Sequence, residues 1–263
     1  MTRSLSAAIA EALLVGEPLA KVMQVRALAR AWRKGALAWD WATLMPDRPA
    51  VPPGLQLLPP GQMPRRRKGG SEATRIALWH SLAHIEFVAI DLALDAAGRF
   101  GEAQGPGFVG DFVSVAADEA MHWALVARKL RALGSHYGAL PAHDGLWEAA
   151  EATKHDVAAR LAVVPMVLEA RGLDATPAMR DRVRAGGDEG GARILQRILD
   201  DEIRHVAAGA KHFAHVAGSR GESYENYWKI LVRQHFRGSL KPPFNDSARQ
   251  AAGLPRSVYT ALA

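Results

Sequence analysis

From Ser71 onward, apolar residues return every three or four positions, the period of a helix with one buried face. In the first such stretch, 72–98, Ile76, Trp79, Ala83, Phe87, Ile90 and Leu94 form the stripe, and Gly98 with the glycine-rich stretch 101–110 is expected to end it. A second helix is expected over 109–133, stopped by Gly134. A third is expected over 145–171 with Gly172 as its cap, a short one from Thr176-Pro177 to 185, and a fourth over 188–217. Upstream, 1–14 is apolar, Gly16-Glu17-Pro18 interrupts it, and 20–39 reads as a basic amphipathic helix. Residues 46–64 hold seven prolines, which lack an amide donor and fix φ, so this lead-in is expected to be extended. A further helix is expected over 222–236, with Pro242-Pro243 opening a tail. No strand-like alternation competes. The pattern predicts an all-α protein: a four-helix bundle over 71–217, with N-terminal helices and the Pro-rich lead-in (1–70) and a C-terminal helical extension (218–263) packed on it.

Charge divides the chain in the same places. Residues 1–70 carry 11 Lys/Arg against 4 Asp/Glu, 71–217 carry 15 against 20, and 218–263 carry 7 against 3. These give +7, −5 and +4, the net +6 of the whole chain. Bound cations would neutralise part of the acidic middle. The basic flanks, which include Arg65-Arg66-Arg67-Lys68, read as solvated surface ahead of nucleic-acid binding. Cysteine is absent, which excludes disulfides, thiolate metal sites and iron–sulfur clusters and fits a cytoplasmic protein. Redox chemistry needing an iron–sulfur donor would take it from a partner protein. No run of eighteen apolar residues occurs, so no membrane partner is expected. Glu11 and Glu17 argue against a transit peptide. Phosphate-loop, nucleophile-elbow and dinucleotide fingerprints are missing.

The chemistry-bearing pattern lies in the acidic middle. Glu119-Ala-Met-His122 and Glu202-Ile-Arg-His205 are two Glu-x-x-His pairs, and each follows a lone helical Glu, Glu86 or Glu169, by 33 residues. Positions i and i+3 share a helix face. Four carboxylates and two imidazoles on four helices make the ligand set of a carboxylate-bridged two-metal site. Oxygen and imidazole ligands suit two Fe ions, with Mn or a mixed Fe/Mn pair as alternatives. Glu86 and Glu119 should lie level, each roughly 15–18 Å from the turn between their helices. Asp118 and Asp201 precede the pair glutamates and are expected to hydrogen-bond the far nitrogens of the ligand histidines. His84 points away from Glu86, and both His80 and His84 are expected to be structural. Trp79, Phe87, Trp123 and Met166 are expected in the core, and Tyr224 and Tyr227 in packing. Pro165, one turn before Glu169, is expected to kink its helix. His155, His212 and His215 have no assigned role.

Across 71–217 this pattern resembles the ferritin-like di-iron carboxylate superfamily. Asp201-Glu202-Ile203-Arg204-His205 resembles the Asp-Glu-x-Arg-His signature of bacterial di-iron monooxygenases; Asp118-Glu119-Ala120-Met121-His122 departs from it by Met for Arg. More closely, His84-Ile85-Glu86, Glu169-Ala170-Arg171-Gly172-Leu173-Asp174 and Asp201-Glu202-Ile203-Arg204-His205-Val206 resemble a bacterial ferritin-like family of unknown function, domain of unknown function 455. A more distant similarity is to the di-iron hydroxylase of isopentenylated tRNA adenosine. The resemblance implies a ferritin-like four-helix bundle, metal ligation by Glu86, Glu119, His122, Glu169, Glu202 and His205, and O2 activation by an oxidase or hydroxylase on an unidentified small organic substrate. A ferroxidase without organic substrate and a tRNA-modifying hydroxylase remain as alternatives, and a homodimer is a further expectation.

Overall fold

The structure is a computed structural model that describes residues 2–64 and 71–262; the basic run Arg65–Lys68 lies outside the described residues. Among the described residues the chain is all-α apart from one parallel pair of two-residue strands, β1 (Arg3–Ser4) and β2 (Leu37–Ala38), and an isolated bridge between Leu57 and Ala142. It divides into two compact units, one ending at Trp147 and the other starting at Glu148.

The first unit is built on α3 (Glu72–Gln104) and α4 (Pro106–Ala132). Ser71 caps α3 by accepting from the Thr74 amide. Gly105, at φ +87°, is the only residue between the two helices, and Pro106 opens α4, where its missing N–H costs nothing. The expected stop at Gly98 does not occur. Gly98 and Gly101 lie inside α3 because the segment just ahead of the lead-in packs on them: an added Cβ at Gly98 would collide with Met45, and one at Gly101 would come within 2.6 Å of the Trp41 ring. Among the described residues α3 is also long and apolar enough to cross a membrane by length and composition. It nonetheless buries Glu86, Asp91 and Asp95, as the core helix of this unit does. Helices α1 (Leu5–Leu13) and α2 (Pro18–Arg33) pack on α3 and α4 respectively. Arg99 holds the lead-in by donating to Asp95 at 2.7 Å and to the Pro46 carbonyl at 3.0 Å. Within the lead-in, only Pro60–Gln62 forms a 3-10 turn. The division between units falls within α5 (Gly145–Ala152).

In the second unit the expected helix over 145–171 is interrupted. The chain breaks after α5, and Asp156 caps α6 (Val157–Val163). Buried Arg160 holds the break by donating to the Ala150 carbonyl at 2.5 Å and the Thr153 hydroxyl at 3.0 Å. A π-helical turn, Val164–Glu169, follows and contains Pro165, so the expected distortion is a π turn. Helix α7 (Ala170–Ala185) then runs through both Gly172 and Pro177, which were expected to end and start helices. Pro177 has no N–H for the Leu173 carbonyl four residues back; Asn245 Nδ2 supplies the missing bond at 3.1 Å. Helix α8 (Glu189–Ser219) packs on α6, the π turn and α7, with Gly209 giving room to the Pro165 ring. Helix α9 (Tyr224–His235) lies on α6 and α8, where Tyr224 and Tyr227 pack against Phe213. Two short tail helices, α10 (Asp246–Ala251) and α11 (Arg256–Tyr259), complete the unit.

Candidate metal centre

In the first unit the pattern becomes a buried cluster. Glu86 of α3 meets Glu119 and His122, one turn apart on α4; they are 3%, 0% and 0% exposed. His122 Nδ1 lies 3.2 Å from Glu86 Oε2 and 3.4 Å from Glu119 Oε2. Each of the three offers a ligand atom within 4.8 Å of the others, so they could hold a metal ion. Because α3 does not stop at Gly98, Glu86 and Glu119 lie about 28 and 21 Å from Gly105 along their helices, not the expected 15–18 Å, and the two side chains meet all the same.

In the second unit Glu202 and His205 share one face of α8, both buried, with His205 Nδ1 3.6 Å from Glu202 Oε2. Glu202 lies over Gly172: a Cβ there would be 3.9 Å from its Cγ. Glu169, the last residue of the π turn, is half-buried one turn before Gly172. Asp201 is buried and accepts from Arg197 Nε at 2.6 Å and from Arg204, both on its own helix. Asp118 is half-buried beside Glu119.

His80 and His84 are structural, as expected. His80 Nε2 accepts from the amides of Gly138 at 3.0 Å and Leu140 at 3.3 Å. Burial first, then the neighbouring His84 and His136, brings its pKa down to about 4. His84 bonds the Tyr137 hydroxyl at 2.9 Å and the His143 carbonyl at 3.0 Å, and burial lowers its pKa too. Because Nε2 faces a carbonyl it carries the proton, so Tyr137 donates to Nδ1. With Phe87, Asp91 and the lead-in residues Pro49–Pro52, His84 and Tyr137 line a cleft partly open to solvent, which Arg48 and Asp144, an ion pair at 2.5 Å, also line. Trp79, Phe87, Trp123 and Met166 are core residues.

Two buried ion pairs escaped the sequence reading. Lys21 of α2 meets Asp91 of α3 at 2.5 Å, with the two side chains 0% and 4% exposed. Arg249 of α10 grips Asp174 of α7 through two bonds, at 2.9 and 2.7 Å, between the rings of Phe244 and Tyr259. The available signal was a lone charge on an otherwise apolar face, as Lys21 is beside Val22, Val25 and Leu28.

Comparison with known proteins gives the chain a family and leaves its chemistry open. No solved structure matches the chain. An uncharacterized protein of Haemophilus influenzae is 40% identical over 211 residues, 78% of this chain and 73% of the relative. The family model described as protein of unknown function DUF455 matches residues 15–260, a span that takes in both helix pairs and most of both flanks. By that match and that identity, the chain belongs to the DUF455 family.

Proposed function

We propose that this is a ferritin-like di-iron protein in which the α3/α4 pair and the α6–α8 pair form one four-helix bundle, and that it acts as an O2-dependent oxidase or hydroxylase of a small organic substrate. The observation that supports this most is the buried Glu86-Glu119-His122 cluster, whose Glu-x-x-His half recurs as Glu202-His205 with the same 33-residue interval from an upstream Glu. Carboxylate and imidazole donors without sulfur fit iron, and also manganese. Glu86, Glu119, His122, Glu169, Glu202 and His205 would hold the ions. When bound, such a pair supplies the redox equivalents for O2 activation. The protein's part is to keep the cluster dry: Ala83 and Ile90, one turn either side of Glu86, are fully buried. With no cysteine the chain can build no iron–sulfur cluster of its own, so a reaction that needs such a donor would take it from a partner protein.

Anaerobic loading with ferrous ion, metal analysis and exposure to O2 test this reading. Two irons per chain and an O2-dependent optical change in a small assembly are expected. A large shell that oxidises iron with no further turnover would replace the reading by a ferroxidase, and co-purifying RNA oxidised at a base would replace it by the RNA hydroxylase. A chain that takes up neither iron nor manganese would sink all three.

A further inference from the structure

Helix α2 is held with one face inward: Val22, Val25, Leu28 and Ala29 are buried, the helix packs on α4, and Lys21 is pinned to Asp91. Its other face carries Leu19, Met23, Arg26, Arg30, Arg33 and Lys34, all exposed. At 100° per residue these six fall within an arc of about 100°, along roughly 22 Å of helix. No acidic residue lies among them, and none of the four cations takes part in an ion pair among the described residues. Three large apolar side chains cluster in sequence at the N-terminal end: Leu14 at 58%, Leu19 at 59% and Met23 at 56% exposed. The nearby carboxylate of Glu17 is turned to the helix start, accepting from the Leu19 amide at 3.1 Å and from that of Ala20.

We infer that this face of α2 docks on an anionic lipid surface. Cations along a helix pair with lipid phosphates, while leucine and methionine gain by entering the acyl boundary. A nucleic acid would reward the arginines but would give nothing for the exposed Leu14, Leu19 and Met23. The buried Lys21–Asp91 pair keeps the helix from rolling, so the stripe is presented without a change of fold. The contact is peripheral and lies within the lone basic amphipathic segment of the N-terminal flank.

Flotation of the full-length chain with vesicles decides it. Equal mixtures of phosphatidylglycerol and phosphatidylcholine should carry the protein, pure phosphatidylcholine should not, and added salt should weaken the binding. Each arginine at an anionic surface is worth about fivefold in affinity, so Arg26→Ala with Arg30→Ala should weaken binding about 25-fold. Leu19→Ser with Met23→Ser should weaken it at least about tenfold. All four sites are exposed, so thermal melting should be unchanged and serves as the folding control. Equal binding to neutral vesicles, or none to anionic ones, overturns the inference. So does RNA binding that is lost in the arginine variant and unaffected in the Leu19/Met23 variant.

Discussion

In the first unit Glu86 rides on α3, a helix of 33 residues without a break, and meets Glu119 and His122 across a turn of one residue. In the second unit Glu169 ends a π turn, its helix is interrupted upstream at residues 153–156, and Pro177 removes a bond downstream. The same residue types at the same spacing are thus set on one regular scaffold and one irregular scaffold. Regular backbone fixes a side chain through the whole hydrogen-bond ladder. Irregular backbone fixes it through particular partners: Gly209 under Pro165, Asn245 on the Leu173 carbonyl, Arg160 across the break. The first half should therefore tolerate change around its ligands, and the second should fail when one partner is lost.

The largest expected effect separates the two flank anchors. Arg249→Met would leave Asp174 buried without its two-bond partner, at a cost of about 4–5 kcal/mol, because two ring contacts go with it. Lys21→Met should cost nearer about 3 kcal/mol, because Asp91 has an escape. Burial, opposed in part by Lys21, already raises the Asp91 pKa to about 6. Its folded form is thus poised to take up a proton and become neutral. Removing Lys21 would push that pKa higher still, so the cost of Lys21→Met should be smallest at or below about pH 6 and grow as pH rises above it. Denaturant unfolding of parent and variant on either side of that pH checks this; a cost independent of pH would mean that Asp91 stays ionised without Lys21.

Ligand removal comes next. Glu119→Ala and Glu202→Ala should each lower ferrous-ion affinity by roughly 100-fold or more, since even residues behind the ligands cost about 10–100-fold. The comparison predicts a difference in what remains. Glu202→Ala should leave residual binding at the intact Glu86-Glu119-His122 cluster, while Glu119→Ala, which breaks that cluster, should leave little. Titration of the two variants by calorimetry reads this directly. The reverse order would mean that the second half, not the first, organises the metals.

The same contrast explains what could be read in advance. The stripe from Ile76 to Leu94 gave α3 because every turn repeats the same physics, and the Glu-x-x-His pairs were visible because i,i+3 spacing is a local property of a helix. The path of the second unit was hidden because it depends on distant partners. Pro177 reads as a helix start until Asn245, 68 positions away, is known to take over its lost bond. Gly98 and Gly101 read as stops until Met45 and Trp41 are seen lying on them. Helices α10 and α11, of six and four residues, are too short to show a period. Lys21 and Arg249 were counted as surface charge, since nothing local marks a cation whose partner is 70 or more positions away.

Glycine substitutions probe the scaffolds with a smaller effect. Gly209→Ala places a methyl group against the Pro165 ring, with Cγ at 2.5 Å, and a ring in a π turn cannot swing away. A loss of about 2 kcal/mol is expected, with weaker metal binding through Glu169. Gly98→Ala collides mainly with Met45, a flexible side chain, and alanine is the better helix former by about 1 kcal/mol. Its net effect on melting should be under about 1 kcal/mol. A Gly98→Ala loss as large as that of Gly209→Ala would show that the regular half is no more tolerant than the irregular one.

The last effect is a pH response that His80 gives the first unit. His80 Nε2 accepts two backbone amides, from Gly138 and Leu140, and can do so only when that nitrogen is unprotonated. Its folded pKa is about 4 against an ordinary 6.5, mainly through burial. The unfolded chain therefore binds a proton between those values that the folded chain refuses. The stabilisation is fully present above about pH 6.5 and is lost as pH falls toward about 4, by on the order of 2 kcal/mol once solvent screening is allowed for. His80→Gln keeps an acceptor oxygen without the titration, so its stability should fall less steeply over that range; His84, also lowered, preserves part of the slope. Amide exchange near the lower end of the range should open the turn at residues 138–140 in the parent and leave it protected in the variant. Equal slopes for parent and variant would mean that the turn is held by the packing of Tyr137 on Phe87 rather than by the imidazole.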